Sequence, residues 1–428
     1  MHPSMNLRAH VVKTLLSVQQ GQSLSTILHQ QLNQVAPKDR ALFHELVLGT
    51  LRQWFGLKAL TLPLLTKPLD NPSVETCLYV GLYQILCTRI APHAAISETV
   101  DATKQVGFPA LSGVVNAILR RATRETSEFQ EILNQAHGLP SWLYKRLKKD
   151  WPAEVDTLCQ RLKQSSGITL RVNQRKIARD AYLSKLQHAN IQAVACQYSD
   201  AGILLKQAVQ ITELIGFFEG WFSVQDQHAQ LCASLVPNLD GKTVIDACAA
   251  PGGKTAHLLE KFKPELLIAL DQDEKRLERV KENLKRLDLN SEQVHIVTAD
   301  ASTWQAEQRV DCIVLDAPCS AIGVIKRHPD IRLLRQSTDI AETVALQKQI
   351  LQQMWQQLKI GGTLLYITCS ILKAENEQQM VDFFAQHPNA KEEKIEAEWG
   401  IAQQYGRQLL PLDEQGDGFY YCKIQKIA

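Results

Sequence analysis

The sequence predicts a multidomain chain: an all-helical bundle over residues 1–138, a small mixed α/β connector over 139–235, and a C-terminal α/β domain over 236–428 built on a parallel, doubly wound sheet. Three observations predict it. Apolar residues recur at helical spacing through the first third of the chain, the texture changes at Leu139, and after Pro237 short apolar runs alternate with amphipathic stretches.

The helical region is read from three stripes. In DRALFHELVLGTLRQW, Leu42, Phe43, Leu46, Val47, Leu51 and Trp54 share a face. VETCLYVGLYQIL repeats the pattern with Val74, Cys77, Leu78, Leu82, Ile85 and Leu86, and LSGVVNAILRRATR with Leu111, Val114, Val115, Ile118 and Leu119. Pro63, Pro68, Pro72, Pro92 and Pro109 fall between or at the ends of such stretches as breakers. Arg120, Arg121 and Arg124 form a basic helix face, open to reading as an RNA contact or as a solvated surface.

In the connector, SWLYKRLKKDWP reads as a basic helix and GITLRVNQRK as a strand flanked by Arg171, Arg175 and Lys176. Aromatic and basic residues interleave as far as GFFEGWFSVQDQHAQL, which suits stacked bases and phosphates and equally suits a small aromatic core. Farther on, KTVIDACA, LLIALDQD, QVHIVTAD, VDCIVLDA and GTLLYIT read as strands. GGKTAHLLEKF, EKRLERVKENLKRL and ALQKQILQQMWQQL read as the helices among them. Apolar strands with helices between them make a parallel sheet buried on both faces, and such sheets bind ligands outside the carboxyl ends of their strands.

With 428 residues, 45% hydrophobic and 21% charged, the composition is that of a soluble globular protein. No apolar run reaches the roughly eighteen residues a membrane span needs, and MHPSMNLRAHVVKTLL shows no secretory signal. The ten cysteines lack CxxC or zinc-like spacing, so no metal and no disulfide framework is expected, and the expected compartment is the reducing cytoplasm. Net charge divides unevenly: 12 Lys/Arg stand against 9 Asp/Glu over residues 1–140, 12 against 8 over 141–235, and 23 against 28 thereafter. A basic front half suits a phosphate-bearing partner.

The chemistry is expected at five strand ends. DACAAPGGKT, Asp246 to Thr255, closes one strand and opens a helix, and its small residues let backbone N–H groups approach a ligand. It is neither a P-loop nor a GxGxxG dinucleotide loop. Lys254 sits in the first helical turn, where the macrodipole disfavours a cation, which points to a ligand-side role. Asp271, about twenty residues on, suits ribose hydroxyls, and Asp300 suits an exocyclic amine. This set describes a ribose-and-adenine site without a pyrophosphate grip, which fits S-adenosylmethionine better than NAD.

VLDAPCSAIG and LLYITCSIL then bring Asp316, Cys319 and Cys369 to neighbouring strand ends. Two thiols and a carboxyl group suit methylation at carbon 5 of cytosine, which is too poor a nucleophile to be methylated directly. A thiolate adding to carbon 6 activates it, a carboxyl group at ring N3 stabilises the developing charge, and a further acid or base completes release. The base must leave its stack to reach such a pocket.

DACAAPGGKT, DAPCSAIG, RHPDI and TCSILKAEN together resemble the motifs of RNA cytosine-C5 methyltransferases of the NOL1/NOP2/Sun family. The front, with NAILRR and DRALFHELVLGTLRQW, resembles the NusB-like RNA-binding domain carried by a bacterial branch, and LLPLDEQGDGFYYCKIQK resembles the family's closing hairpin. The resemblance implies a NusB-like bundle and a Rossmann-like S-adenosylmethionine-dependent methyltransferase domain. It places the cofactor on Cys248, Ala249, Ala250, Pro251, Gly252, Gly253, Lys254, Asp271, Asp300 and Asp316. It makes Cys369 the nucleophile and Cys319 the residue that assists product release, so the Pro-Cys cysteine is not the attacker. It further implies a monomer acting on 16S rRNA, free or in an early small-subunit assembly intermediate, at the cytosine conventionally numbered 967. The same chemistry on transfer RNA or another ribosomal RNA cytosine is an alternative. A second class is an RNA-binding assembly or antitermination factor with an idle catalytic domain. Arg327, which opens the RHPDI stretch, and Arg332, which follows it, are open to reading as phosphate contacts or as part of a capped loop.

Overall fold

A computed structural model describes residues 5–65, 69–412 and 416–428. The expected breaker Pro68 and residues 413–415 of the closing segment lie outside the described residues.

Among the described residues the regular elements of the N-terminal region are helices: α1 (Leu7–Gln19), α2 (Leu24–Asn33), α3 (Arg40–Thr61), α4 (Pro72–Cys87), α5 (Pro92–Gln105), α6 (Ser112–Arg124), α7 (Thr126–Gln135), α8 (Ser141–Asp150) and α9 (Val155–Leu162). Local chemistry sets their starts. Asn6 caps α1 by accepting from the N–H groups of Arg8 and Ala9, and Asn71 caps α4, where Pro72 occupies the first position and loses no helical hydrogen bond. The three stripes meet in one core that includes Phe43, Leu46, Trp54, Cys77, Leu78, Val115 and Leu119. Val114 is the exception, facing solvent on the far side of α6. On that helix Arg121 pairs with Glu125 at 2.8 Å, one turn on.

The connector contributes β1 (Ile168–Val172), α10 (Arg179–His188), β2 (Ala193–Ala195), β3 (Gly202–Leu205) and β4 (Phe222–Val224), an antiparallel sheet in the order β2-β3-β1-β4. Its aromatics Tyr182 and Phe222 are core residues, while Phe218 is exposed. Arg171 departs from its expected role as a basic flank. It is fully buried, with Nε and Nη2 donating to the two carboxylate oxygens of Glu260 at 2.8 and 2.7 Å and Nη1 donating to the Gly253 carbonyl at 2.6 Å. Arg175 and Lys176 remain exposed.

Two short turns, α11 (Gln227–Gln230) and α12 (Cys232–Leu235), lead into the third region. There β5 (Thr243–Ala247), α13 (Gly253–Lys261), β6 (Leu266–Asp271), α14 (Glu274–Leu287), β7 (Val294–Thr298), β8 (Val310–Asp316), α15 (Ile331–Leu334), α16 (Ser337–Gln357) and β9 (Leu358–Thr368) follow the expected alternation. The chain ends with α17 (Glu377–Gln386), β10 (Ala390–Glu392), β11 (Ile401–Ala402), β12 (Arg407–Leu409) and β13 (Phe419–Lys426). The strand order is β11-β12-β13-β9-β8-β5-β6-β7, with β10 also on β13. The five strands from β9 to β7 are parallel, and β13 adds antiparallel to β9. Burial on both faces shows in β8, where Cys312 and Val314 enter one core while Ile313 and Leu315 enter the other.

By packing, the chain divides into two units: residues 1–165 with 325–337, and residues 166–324 with 338–428. The short excursion carries RHPDI into the helical unit. There Asp330 accepts from the Leu24 N–H at 2.9 Å, and Leu333 and Leu334 pack on the helical core. Arg332 is buried, donating to the carbonyls of Leu162, Ile325 and Gly138. Its donors are spent on backbone, which makes it a clasp and not a phosphate contact.

Breaking a buried ion pair leaves an uncompensated charge, which costs about 3–5 kcal/mol, whereas replacing both partners with apolar residues is near neutral. Thermal or denaturant unfolding should therefore show Arg171→Met losing stability of that order, and Arg171→Met/Glu260→Leu recovering most of it.

Candidate active site

Strand pairing decides which side chains meet. β8 lies between β5 and β9, with Asp316 level with Ile367, so the turns after Asp316 and Thr368 leave the sheet side by side. Those turns carry Cys319 and Cys369, whose sulfurs are 3.4 Å apart. Both face a cavity of about 210 Å³ that is also lined by Cys248, Ala250, Asp271, Asp300 and Asp316. The structure thus brings together both expected thiols and all three expected acids.

The rest of the DACAAPGGKT segment shapes the cavity from behind. Ala249 is tied through its N–H to the Leu270 carbonyl at 2.9 Å. Gly252 turns the chain into α13 with φ +90°, and a Cβ there would come within 2.9 Å of Val280. Lys254 does not reach the cavity. It is buried, and its Nζ donates to Asp316 Oδ2 at 2.6 Å, 5.7 Å from the centre of the Phe419 ring. Burial alone would lower its pKa, but Asp316, Cys232 and Cys369 outweigh this and hold it above the usual lysine value. Lys254 is therefore a fixed cation that aims the Asp316 carboxylate.

Asp271 is held as firmly. One oxygen accepts from the Ala250 N–H and the other from the Asp273 N–H, each at 3.0 Å. Arg276 also lines the cavity, but its guanidinium is engaged, donating to the Ala250 carbonyl at 2.5 Å and lying 3.8 Å from Asp271. Asp300 is exposed at the cavity edge, one oxygen accepting from the Ser302 N–H at 2.8 Å.

The two thiols are not equivalent. The hydrogen bond to Cys369, burial, and the charges of Cys369 and Glu375 push the Cys319 thiol well above its ordinary pKa. The two sulfurs share one hydrogen bond, in which either thiol can donate. Behind them Gly323 is an obligatory close approach: its N–H donates to the Cys369 carbonyl at 3.0 Å, and a Cβ would sit 2.7 Å from that oxygen.

Three groups of residues carry weight without having been singled out in the sequence. Glu375 and Asn376, with Thr368, Ser370 and Gln408, form a buried polar network under the cysteine turns. All but Gln408 lie within the quoted TCSILKAEN stretch, and an acid-amide pair after a strand end was the available signal. Leu346 and Ile350 of α16 form the apolar wall of the cavity. Asp246, at the head of the first motif, is fully buried and accepts from Thr255 Oγ1 at 2.5 Å.

Comparison with known proteins follows this geometry. Residues 233–425 match the family described as 16S rRNA methyltransferase RsmB/F, residues 139–212 the ferredoxin-like domain of RsmF/B-like methyltransferases, and residues 5–124 the NusB family. Over 434 residues the chain is 44% identical to the ribosomal RNA small subunit methyltransferase B of Pseudomonas putida, covering 99% of each. The chain belongs to the RsmB/F family of 16S rRNA methyltransferases. The Serratia proteamaculans relative with the same description is 42% identical, with 100% of both chains covered. The crystal structure of PH0851 shares the fold over 100% of this chain and 99% of its own, with a TM-score of 0.80 at 23% identity. NSun6 from Pyrococcus horikoshii shares it over 68% of this chain and 98% of its own, with a TM-score of 0.60 at 22% identity. The family membership accounts for the order of regions: a NusB domain, a ferredoxin-like connector and a methyltransferase domain.

Burial raises the Asp246 carboxyl from 3.8 to about 7 despite the Thr255 hydroxyl and Lys254, so the folded protein holds a proton that the unfolded chain releases in that interval. The stability this contributes is present below pH 3.8 and is lost as pH rises toward 7, by up to about 1.4 kcal/mol per pH unit. Asp246→Asn keeps an acceptor for Thr255 and removes the titration. Its melting temperature relative to wild type should rise between about pH 5 and about pH 8, and a pH-independent difference would contradict the assignment.

Proposed function

We propose that this family member transfers a methyl group from S-adenosylmethionine to carbon 5 of a 16S rRNA cytosine, through a covalent adduct on Cys369. The observation that carries this reading is the pair of sulfurs 3.4 Å apart in a cavity that also holds Asp316. The target nucleotide expected from the family resemblance is the cytosine numbered 967, met on 16S rRNA before or early in small-subunit assembly, in the cytoplasm, by a monomer.

The donor set fits the cofactor. Asp271 at the end of β6 suits ribose hydroxyls, Asp300 an exocyclic amine and Asp316 a cationic end, while Arg276 is already committed to Asp271 and Ala250. Cys248 and Ala250 offer backbone and apolar wall, and Gly252 and Gly253 shape the turn that lets the ligand approach. The bound cofactor supplies an electrophilic methyl group.

The chain's own residues do the rest. Cys369 adds through sulfur to carbon 6 of a base turned out of its stack, and the electron pair displaced toward ring N3 makes carbon 5 nucleophilic. Asp316, aimed by Lys254, accepts from the exocyclic amine of the base and so orients the ring, while the charge developing at N3 is taken up by a proton. After carbon 5 takes the methyl group, it loses its proton to a base, the bond from sulfur to carbon 6 breaks, and the electron pair returns to Cys369. Cys319, in contact with that sulfur, assists this release.

A denaturing gel for protein joined to RNA tests it. With unmodified 16S rRNA fragments and S-adenosylmethionine, Cys319→Ala should accumulate a slow-migrating protein-RNA band and Cys369→Ala should show none. A band that depends on Cys319 and survives Cys369→Ala would reverse the roles.

A further inference from the structure

One carboxylate ties the two cysteine turns together. Glu375 has no exposed surface, and its oxygens divide between the residues that follow the cysteines. Oε1 accepts from the Ser320 N–H at 2.6 Å, and Oε2 accepts from Ser320 Oγ at 2.6 Å and from Ser370 Oγ. The two hydroxyls are also 3.3 Å apart. Ser320 follows Cys319 and Ser370 follows Cys369, so the same side chain fixes both turns from the side opposite the cavity.

Glu375 is itself immobilised. Its carbonyl accepts from the Tyr366 hydroxyl at 2.9 Å. The neighbouring Asn376 donates to the Ser370 carbonyl at 3.0 Å and to Gln408 Oε1 at 2.7 Å, and accepts from Thr368 Oγ1 at 2.5 Å. Burying a carboxylate costs several kcal/mol before its partners are counted, and an apolar side chain would fill the same space at less cost. What an apolar side chain could not do is accept from two separate turns at once.

We infer that Glu375 is a positioning residue for methyl transfer: it sets the separation of the Cys319 and Cys369 sulfurs by clamping Ser320 to Ser370. This rests on the assignment of those two cysteines to attack and release. The clamp touches neither substrate nor cofactor and acts through the two thiols. Its charge works in the same direction as its geometry, adding to the hydrogen bond and the burial that keep Cys319 protonated.

The experiment separates spacing from chemistry. Protein without RNA or cofactor is treated with diamide, which takes up the two hydrogens as the two thiols become a disulfide, and the Cys319–Cys369 peptide pair is followed by mass spectrometry. Glu375→Gln keeps an oxygen for the Ser320 N–H and offers an amide that the hydroxyls can accept from, so its crosslinking rate should stay within about threefold of wild type. Glu375→Ala removes both ties, and Glu375→Asp keeps the charge but shortens the reach. Both should crosslink at least about tenfold more slowly, since small displacements of reacting atoms carry large rate penalties. In methylation assays the same two variants should lose at least about tenfold in kcat with KM for RNA little changed, whereas Glu375→Gln should retain most of kcat and move its pH profile toward lower pH.

Wild-type crosslinking and kcat in Glu375→Asp or in a folded Glu375→Ala would overturn the inference, as would a Glu375→Gln variant as impaired as Glu375→Ala. The crosslinking arm needs no catalysis. If wild-type protein failed to form an RNA adduct on Cys369, the mechanism would fall, while slow crosslinking in the Asp and Ala variants would still show the clamp.

Discussion

The site depends on one constraint, the parallel pairing of β8 with β9. Parallel strands end on the same edge of a sheet, about 5 Å apart, and whatever follows each strand is delivered to one place. Here that rule delivers Asp316 with Cys319 from one strand and Cys369 from the next. An antiparallel pairing of the same two segments would send the cysteines to opposite edges. β13, antiparallel to β9, extends the sheet and keeps β9 from being an edge strand.

Around that pairing, charges are placed so that each fixes another. Lys254 is burdened by burial and by its place in the first turn of α13, and it is stabilised chiefly because Asp316 stands opposite. The helix that carries it is held in turn by Arg171, whose guanidinium grips Glu260 on the same helix and the Gly253 carbonyl at its start. A strand of the connector sheet thereby steadies the turn on which the residues proposed to hold the cofactor stand. Buried polar groups of this kind give little net stability for what they cost, and their effect is to make one arrangement preferable to its near neighbours.

Much of this was legible in the sequence because it follows from local patterns. Apolar runs of five to eight residues closed by Asp or Thr-Cys mark strand ends, and strand ends are where a parallel sheet presents its chemistry. The helical core was likewise visible in spacing, apart from Val114, which sits one position off its stripe. What the sequence hid were partners far away in the chain. Arg171 resembles any basic flank until Glu260 closes on it, and Arg332 looks free to meet phosphate until the carbonyls of Gly138 and Leu162 surround it. Glu375 was hidden differently, since an acid six residues after a cysteine looks like a solvated helix start and only the folded turn sends it inward. Lys254 was noticed as a cation in an unfavourable place, and what the sequence could not show is that its Nζ meets the Asp316 carboxylate that lines the cavity.

The excursion of residues 325–337 into the helical unit has a consequence for how the protein is made. A chain emerging from the ribosome presents helices α1 to α9 long before Asp330, Arg332, Leu333 and Leu334 appear. Until they do, the Leu24 N–H that opens α2 lacks its carboxylate, and the carbonyls of Gly138 and Leu162 lack their guanidinium. The N-terminal bundle is thus a unit in space but not in time. Its last pieces are threaded between Cys319 and Cys369, so the helical fold is completed from the same stretch of chain that brings both cysteines to the cavity.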